Sequence, residues 1–224
     1  MNDMTRRLLI GLGALVGVAL IVAVAISAAS PQATDTSSEF GSPTVEGEIL
    51  PLFDPAADDP TVGQPAPVVT STDMDGETVR VVGPSDSAKI LIFLAHWCPH
   101  CQNEVKMLTN WAKSNELPEG VEIYGVLSLS NRARTNWPPT EWLAREGWPW
   151  PVLMDDEAGT IATHFGLAGT PFWVVLNPDN TVAGRASGEL PVEIFEQVVA
   201  DAASRVSGSV GTSAPSSPDT TAAD

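Results

Sequence analysis

Trp97-Cys98-Pro99-His100-Cys101 holds the only two cysteines of this 224-residue chain. Two sulfurs separated by two residues can close a small ring, so they are expected to pair with each other. The strand-like run Ile90-Leu91-Ile92-Phe93-Leu94-Ala95 comes directly before them, which puts Cys98 where a strand turns into a helix. At such a start, unpaired backbone N–H groups and the positive end of the helix dipole favour thiolate over thiol. Cys98 is therefore expected to titrate below ~8.5. The thiolate is the species that attacks disulfides, and Cys101, one turn further on, is expected to lie deeper and act as the resolving thiol.

The elements that must hold this pair alternate strand and helix, as in an α/β sheet with helices on its faces. Residues 67–71 and 78–82 flank Asp75-Gly76 and read as a hairpin. A buried strand follows over 89–95, then a helix from the cysteines to about Ser114 and a strand over 121–129. Residues 131–147 look inserted, with Trp137-Pro138-Pro139 opening a helix at 140–145. A short strand is expected at 152–154 and a helix over 157–165, stopped by Gly166. Strands at 172–176 and 181–186 are separated by the turn Asn177-Pro178-Asp179-Asn180, and a helix over 191–205 places Ile194, Val198 and Ala202 on one face. A folded domain is expected over residues 61–206.

Residues 8–29 are uncharged and mostly apolar, long enough at 1.5 Å per residue to cross about 30 Å of hydrocarbon. Arg6 and Arg7 precede the run and the next basic residue is Arg80, so residues 1–7 are expected in the cytoplasm and the remainder outside. The length favours an uncleaved anchor over a signal peptide. Residues 30–60, rich in Ser, Thr, Pro and acids, read as a disordered acidic linker, and residues 207–224 as a disordered tail. The formal net charge of −17 argues against nucleic acid and anionic lipid as partners. A domain of this size buries a core without disulfide bracing, so the cysteine pair points to chemistry in a disulfide-permissive compartment.

The order of strand, Trp-Cys-x-x-Cys helix, strand, helix, Gly169-Thr170-Pro171, hairpin and helix resembles the thioredoxin fold across nearly all of residues 62–206. The opening Val62-Gly63-Gln64-Pro65-Ala66-Pro67, the insertion and the single anchor are similar to the TlpA/ResA-like branch of membrane-tethered extracytoplasmic thiol-disulfide oxidoreductases. That resemblance implies a thioredoxin-like domain behind one transmembrane helix, with Pro171 cis and facing the cysteines. It also implies that Thr170 contacts substrate and thiolate, that Trp97 is an exposed indole bordering the pair, and that Glu104 exchanges a proton with Cys101 through water. Ile92 stands where thioredoxin has a buried aspartate, and Lys106 where the branch often has proline. No cofactor is implied beyond the Cys98–Cys101 disulfide. The implied partners are exported proteins carrying thiols or disulfides and an envelope redox protein that resets the pair.

Pro99-His100 is the dipeptide of DsbA-like oxidants. A histidine there can offer a hydrogen bond or positive charge to the thiolate, which stabilises the reduced form and makes the disulfide more oxidising. The branch speaks for a reductant serving cytochrome c maturation, so the two signals oppose each other and the reading leans to the oxidising side. A non-catalytic docking module and a copper-binding protein are the alternatives, the latter disfavoured because copper carriers of this fold space their cysteines by three residues. Gln102 after Cys101 excludes the c-type haem motif, and no cysteine stands in a peroxidase context. His96 is expected at the rim of the site and His164 at a helix end. Trp111, Trp137, Trp142, Trp148, Trp150 and Trp173 are expected in the core and insertion.

Overall fold

A computed structural model of the protein describes residues 39–81 and 85–209. Its centre is β4 (Ala88–Leu94), in which every residue is buried. Such a strand must be hydrogen-bonded on both edges and covered on both faces. On one edge β5 (Val121–Leu127) runs parallel and on the other β7 (Phe172–Leu176) runs antiparallel. With β6 (Val152–Met154) and β8 (Val182–Ser187) outside them, the five strands take the order β6-β5-β4-β7-β8.

Alternate β4 side chains serve opposite faces. Ile90, Ile92 and Leu94 pack with Val105 and Leu108 of α1 (Pro99–Ala112) and with Phe195, Val199 and Ala202 of α4 (Val192–Ser209). Leu91 and Phe93 pack with Phe165, Phe172 and Ile161 of α3 (Thr160–His164). The insertion between β5 and β6 carries α2 (Pro139–Glu146), whose Trp142 and Leu143 are fully buried.

The strands fall where the apolar runs place them, and Asp75-Gly76 joins an antiparallel β2 (Val68–Thr72) to β3 (Thr78–Val81). Helix α3 is shorter than expected, because Gly159 at its start has φ 71°. At the other end α4 runs on to Ser209, so residues 207–209 are helix. The rest of the expected tail, residues 210–224, lies outside the described residues, as do the expected cytoplasmic segment 1–7 and anchor 8–29. Among the described residues no helix is long and apolar enough to cross a membrane.

The linker expectation needs correcting from residue 39 onward. Thr44–Glu46 forms β1, an antiparallel edge to β2, and Leu50 is buried against Phe93 and Phe165. Two glycines permit the close approach. The Gly41 N–H donates to Asp155 O at 2.9 Å, where a Cβ would meet Met154 O at 2.0 Å; Gly166, at φ 66°, lies where a Cβ would meet Pro51 O at 2.2 Å. The segment is clamped by Arg185, which donates through Nε and Nη2 to both carboxylate oxygens of Asp59 (2.8 and 2.7 Å) and through Nη1 to Pro51 O and Phe165 O (2.9 Å each). The described part of an acidic stretch expected to be disordered is thus anchored by one buried cation.

Candidate active site

Strand β4 ends at Leu94, and Ala95, His96 and Trp97 carry the chain to Cys98 at the N-cap of α1. Pro99 occupies the first helical turn, where a missing N–H costs nothing. Cys98 and Cys101 are both free thiols and both buried. The Cys98 thiol donates to Thr170 O at 3.4 Å, and the Cys101 sulfur accepts from the Ala95 N–H at 3.4 Å. The Thr170–Pro171 peptide is cis, and the loop bearing it faces the cysteines through that Thr170 contact.

The two sulfurs have opposite electrostatics. Burial pushes the Cys98 thiol up, but hydrogen bonds from the Cys101 backbone N–H, the Thr170 and Cys101 side chains and the His100 backbone N–H outweigh it, leaving its pKa below the ordinary value. Cys101 is pushed up to about 12, first by burial and further by the nearby Cys98 charge. No acidic residue stands in the first turn of α1 to oppose the thiolate.

Glu104, one turn past Cys101, is only 1% exposed. Its Oε2 accepts from the Leu190 N–H at 2.9 Å, while its Oε1 has no hydrogen-bond partner. Burial, with the Glu189 charge adding to it, raises its pKa to about 7. It is therefore no solvated helix glutamate but a buried acid that can change protonation near neutrality.

Two histidines depart from expectation. The His100 ring is exposed and its Nδ1 meets the Glu189 carboxylate, while the His100 backbone N–H is among the groups that lower the Cys98 pKa. His96 is fully buried rather than at the rim. Its Nδ1 lies 2.7 Å from Thr135 O and its Nε2 accepts from the Asn131 N–H at 3.1 Å, the tautomer these partners require. It pins the inserted loop beside the site. Trp97, half-buried rather than exposed, donates to Leu129 O at 2.8 Å and carries Arg134 over its ring at 5.2 Å. His164 ends α3, its Nδ1 2.8 Å from Thr160 O. Ile92, in the place of the missing aspartate, is fully buried.

The structure brings Cys98, Cys101, Thr170 and Pro171 to one end of the sheet, with Glu104 beneath them. Residues that sequence reasoning missed are Glu189, Asn131 and Arg134. Glu189 lies 89 residues from His100, and no local pattern signals the contact. Among the described residues no group of three or more His, Cys, Asp or Glu side chains is placed to hold a metal ion.

The family model described as AhpC/TSA matches residues 62–186, more than half of the chain. The chain belongs to the AhpC/TSA family, and its fold is thioredoxin-like. It is 26% identical over 140 residues to the thiol:disulfide interchange protein DsbE of Pasteurella multocida, covering 62% of this chain and 72% of that protein. It is 27% identical over 156 residues to the protein of that name from Tatumella citrea, covering 63% and 77%. The fold is similar to that of a solved thiol:disulfide interchange protein from Chlorobium tepidum, with a TM-score of 0.50 at 22% identity, covering 66% of this chain and 99% of that one.

Proposed function

We propose that the protein is a thiol-disulfide oxidoreductase acting on exported protein thiols and disulfides, tethered outside the membrane by residues 8–29. The observation that carries this reading is the asymmetry of the thiols: Cys98 held below its ordinary pKa at a helix start, Cys101 raised to about 12 beneath it. A docking module has no use for that difference, and the relatives' printed names agree with exchange.

In the reducing direction the Cys98 thiolate attacks one sulfur of a substrate disulfide, whose other sulfur leaves as thiolate. The mixed disulfide removes the Cys98 charge, one of the causes that raise Cys101. Cys101 then gives its proton through water to Glu104 and attacks Cys98 Sγ. The second substrate thiolate is released, the Cys98–Cys101 disulfide is formed, and two electrons have passed to the substrate. The Thr170-Pro171 loop holds the substrate backbone beside Cys98, and Trp97 forms part of the bordering surface. The electrons are restored by an envelope dithiol.

The lean towards oxidation rested on a His100 ring serving the thiolate. That ring is engaged by Glu189, which favours the reducing direction. With a scrambled or disulfide-bonded model substrate, Cys98→Ser is expected to abolish exchange and Cys101→Ser to accumulate a mixed disulfide at Cys98. Undiminished exchange in Cys98→Ser would overturn the reading.

A further inference from the structure

Four consecutive residues, the last of β8 and three of its connection to α4, touch the cis-proline loop, the dipeptide between the cysteines and Glu104. Ser187 Oγ donates to Gly169 O at 3.2 Å and the Gly188 N–H to Pro171 O at 2.8 Å, bracing the loop that holds the cis proline. The Trp173 indole N–H donates to Gly188 O at 3.2 Å. Glu189 accepts from Asn103 Nδ2 at 3.3 Å and meets His100 Nδ1 through the same oxygen. The Leu190 N–H then donates to Glu104. Glu189 is the member whose side chain meets the dipeptide between the cysteines.

An ionised carboxylate only accepts hydrogen bonds, so His100 Nδ1 must carry the hydrogen, and that hydrogen is spent on Glu189. Any positive charge on the ring is opposed at contact distance by a negative one, and two opposite charges together present a far weaker field than the cation alone. The couple at stake is a disulfide that takes up two electrons and one proton to give Cys98 thiolate and Cys101 thiol. Only its reduced side carries the negative charge, so a bare imidazolium beside it would favour reduction of the pair. A cancelled one would not.

We propose that Glu189 is a positioning residue of the redox pair: by holding the His100 imidazole and cancelling its charge, it withdraws the oxidising influence of a histidine between the cysteines. It keeps the Cys98–Cys101 couple towards the reducing end. Glu189 acts through His100 and touches no reacting atom. The inference rests on the exchange activity proposed above.

The test equilibrates the full-length protein with glutathione buffers at about pH 6, where an unpaired imidazole holds its proton in a large fraction. Four forms are compared: wild type, Glu189→Gln, His100→Gln and the double variant. Glu189→Gln is expected to shift the equilibrium about tenfold towards the reduced pair, about 30 mV for two electrons. The double variant, which carries neither charge, is expected to lie within about threefold of wild type, and His100→Gln, which leaves the carboxylate bare, on the oxidised side of the double variant. An unchanged equilibrium in Glu189→Gln, or a double variant about tenfold or more to the oxidised side of wild type, overturns the proposal. Should Glu189→Gln not fold, Glu189→Ser takes its place in the single and double variants and the same two outcomes decide. A wild-type protein with no dithiol–disulfide equilibrium against glutathione sinks the exchange reading itself, and this inference with it.

Discussion

Two of the places where the described residues bury ionisable groups are built to opposite ends. On one side of the sheet Asp59 and Arg185 meet in a two-bonded pair, and the guanidinium also donates to two backbone carbonyls. At the redox end Glu104 is buried with one oxygen unpartnered, beneath a thiol raised to about 12. The Arg185 hydrogen bonds hold the Asp59 carboxyl down at about 2, whereas burial pushes Glu104 up to about 7. A fully paired charge stays fixed and fastens the chain. A half-satisfied acid sits close to its own titration point and can pass a proton.

The sharpest way to break this contrast is to remove the fastening cation. Arg185→Ala leaves the half-buried Asp59 carboxylate without its partner and is expected to cost about 3–5 kcal/mol of stability in denaturant unfolding. The pH dependence of Cys98 alkylation is expected to stay unchanged. A large shift in thiol reactivity would show that the two regions are not separate.

Glu104→Gln makes the opposite test. The folded-state pKa of Glu104 is raised, so its contribution to stability is fully present below about 4.5 and is lost as pH rises towards about 7. The swing is roughly 3 kcal/mol. Unfolding measured across that window should lose this slope in the glutamine variant. Resolution of the mixed disulfide should slow by about 10²-fold while attack by Cys98 is spared.

For Asp59 the sign reverses. Its folded pKa is depressed, so its contribution of roughly 2 kcal/mol is present above about 4 and is lost as pH falls through about 2. Acid unfolding of Asp59→Asn should be correspondingly flatter in that range. The smallest expected effect is that of Trp97→Phe, which loses the hydrogen bond to Leu129 O. It should cost about 1 kcal/mol in thermal or denaturant unfolding and leave Cys98 titrating where it does in the wild type.

The redox end was largely legible in the chain because its signals are local. An unbroken apolar strand, a proline after the first cysteine and a Gly-Thr-Pro loop each constrain backbone within a few residues. What escaped depends on partners far apart in sequence. Residues 39–60 read as disordered from composition, yet Leu50 finds an apolar pocket and Asp59 finds a cation 126 residues away. His96 looked like a rim residue beside Trp97, but Thr135 and Asn131 satisfy both ring nitrogens, so burial carries no unpaired polar cost. Glu189 gives no sign of its role until the β8–α4 connection folds over α1.

The central claim is that one sulfur at a helix start is poised as a thiolate while its neighbour is held protonated. The rate of alkylation of each cysteine against pH, followed by mass spectrometry of the reduced protein, tests it directly. Cys98 should react with a midpoint below the ordinary thiol value, and Cys101 should stay unreactive until far more alkaline pH, its pKa lying at about 12. Two sulfurs titrating together at the ordinary value would contradict the account.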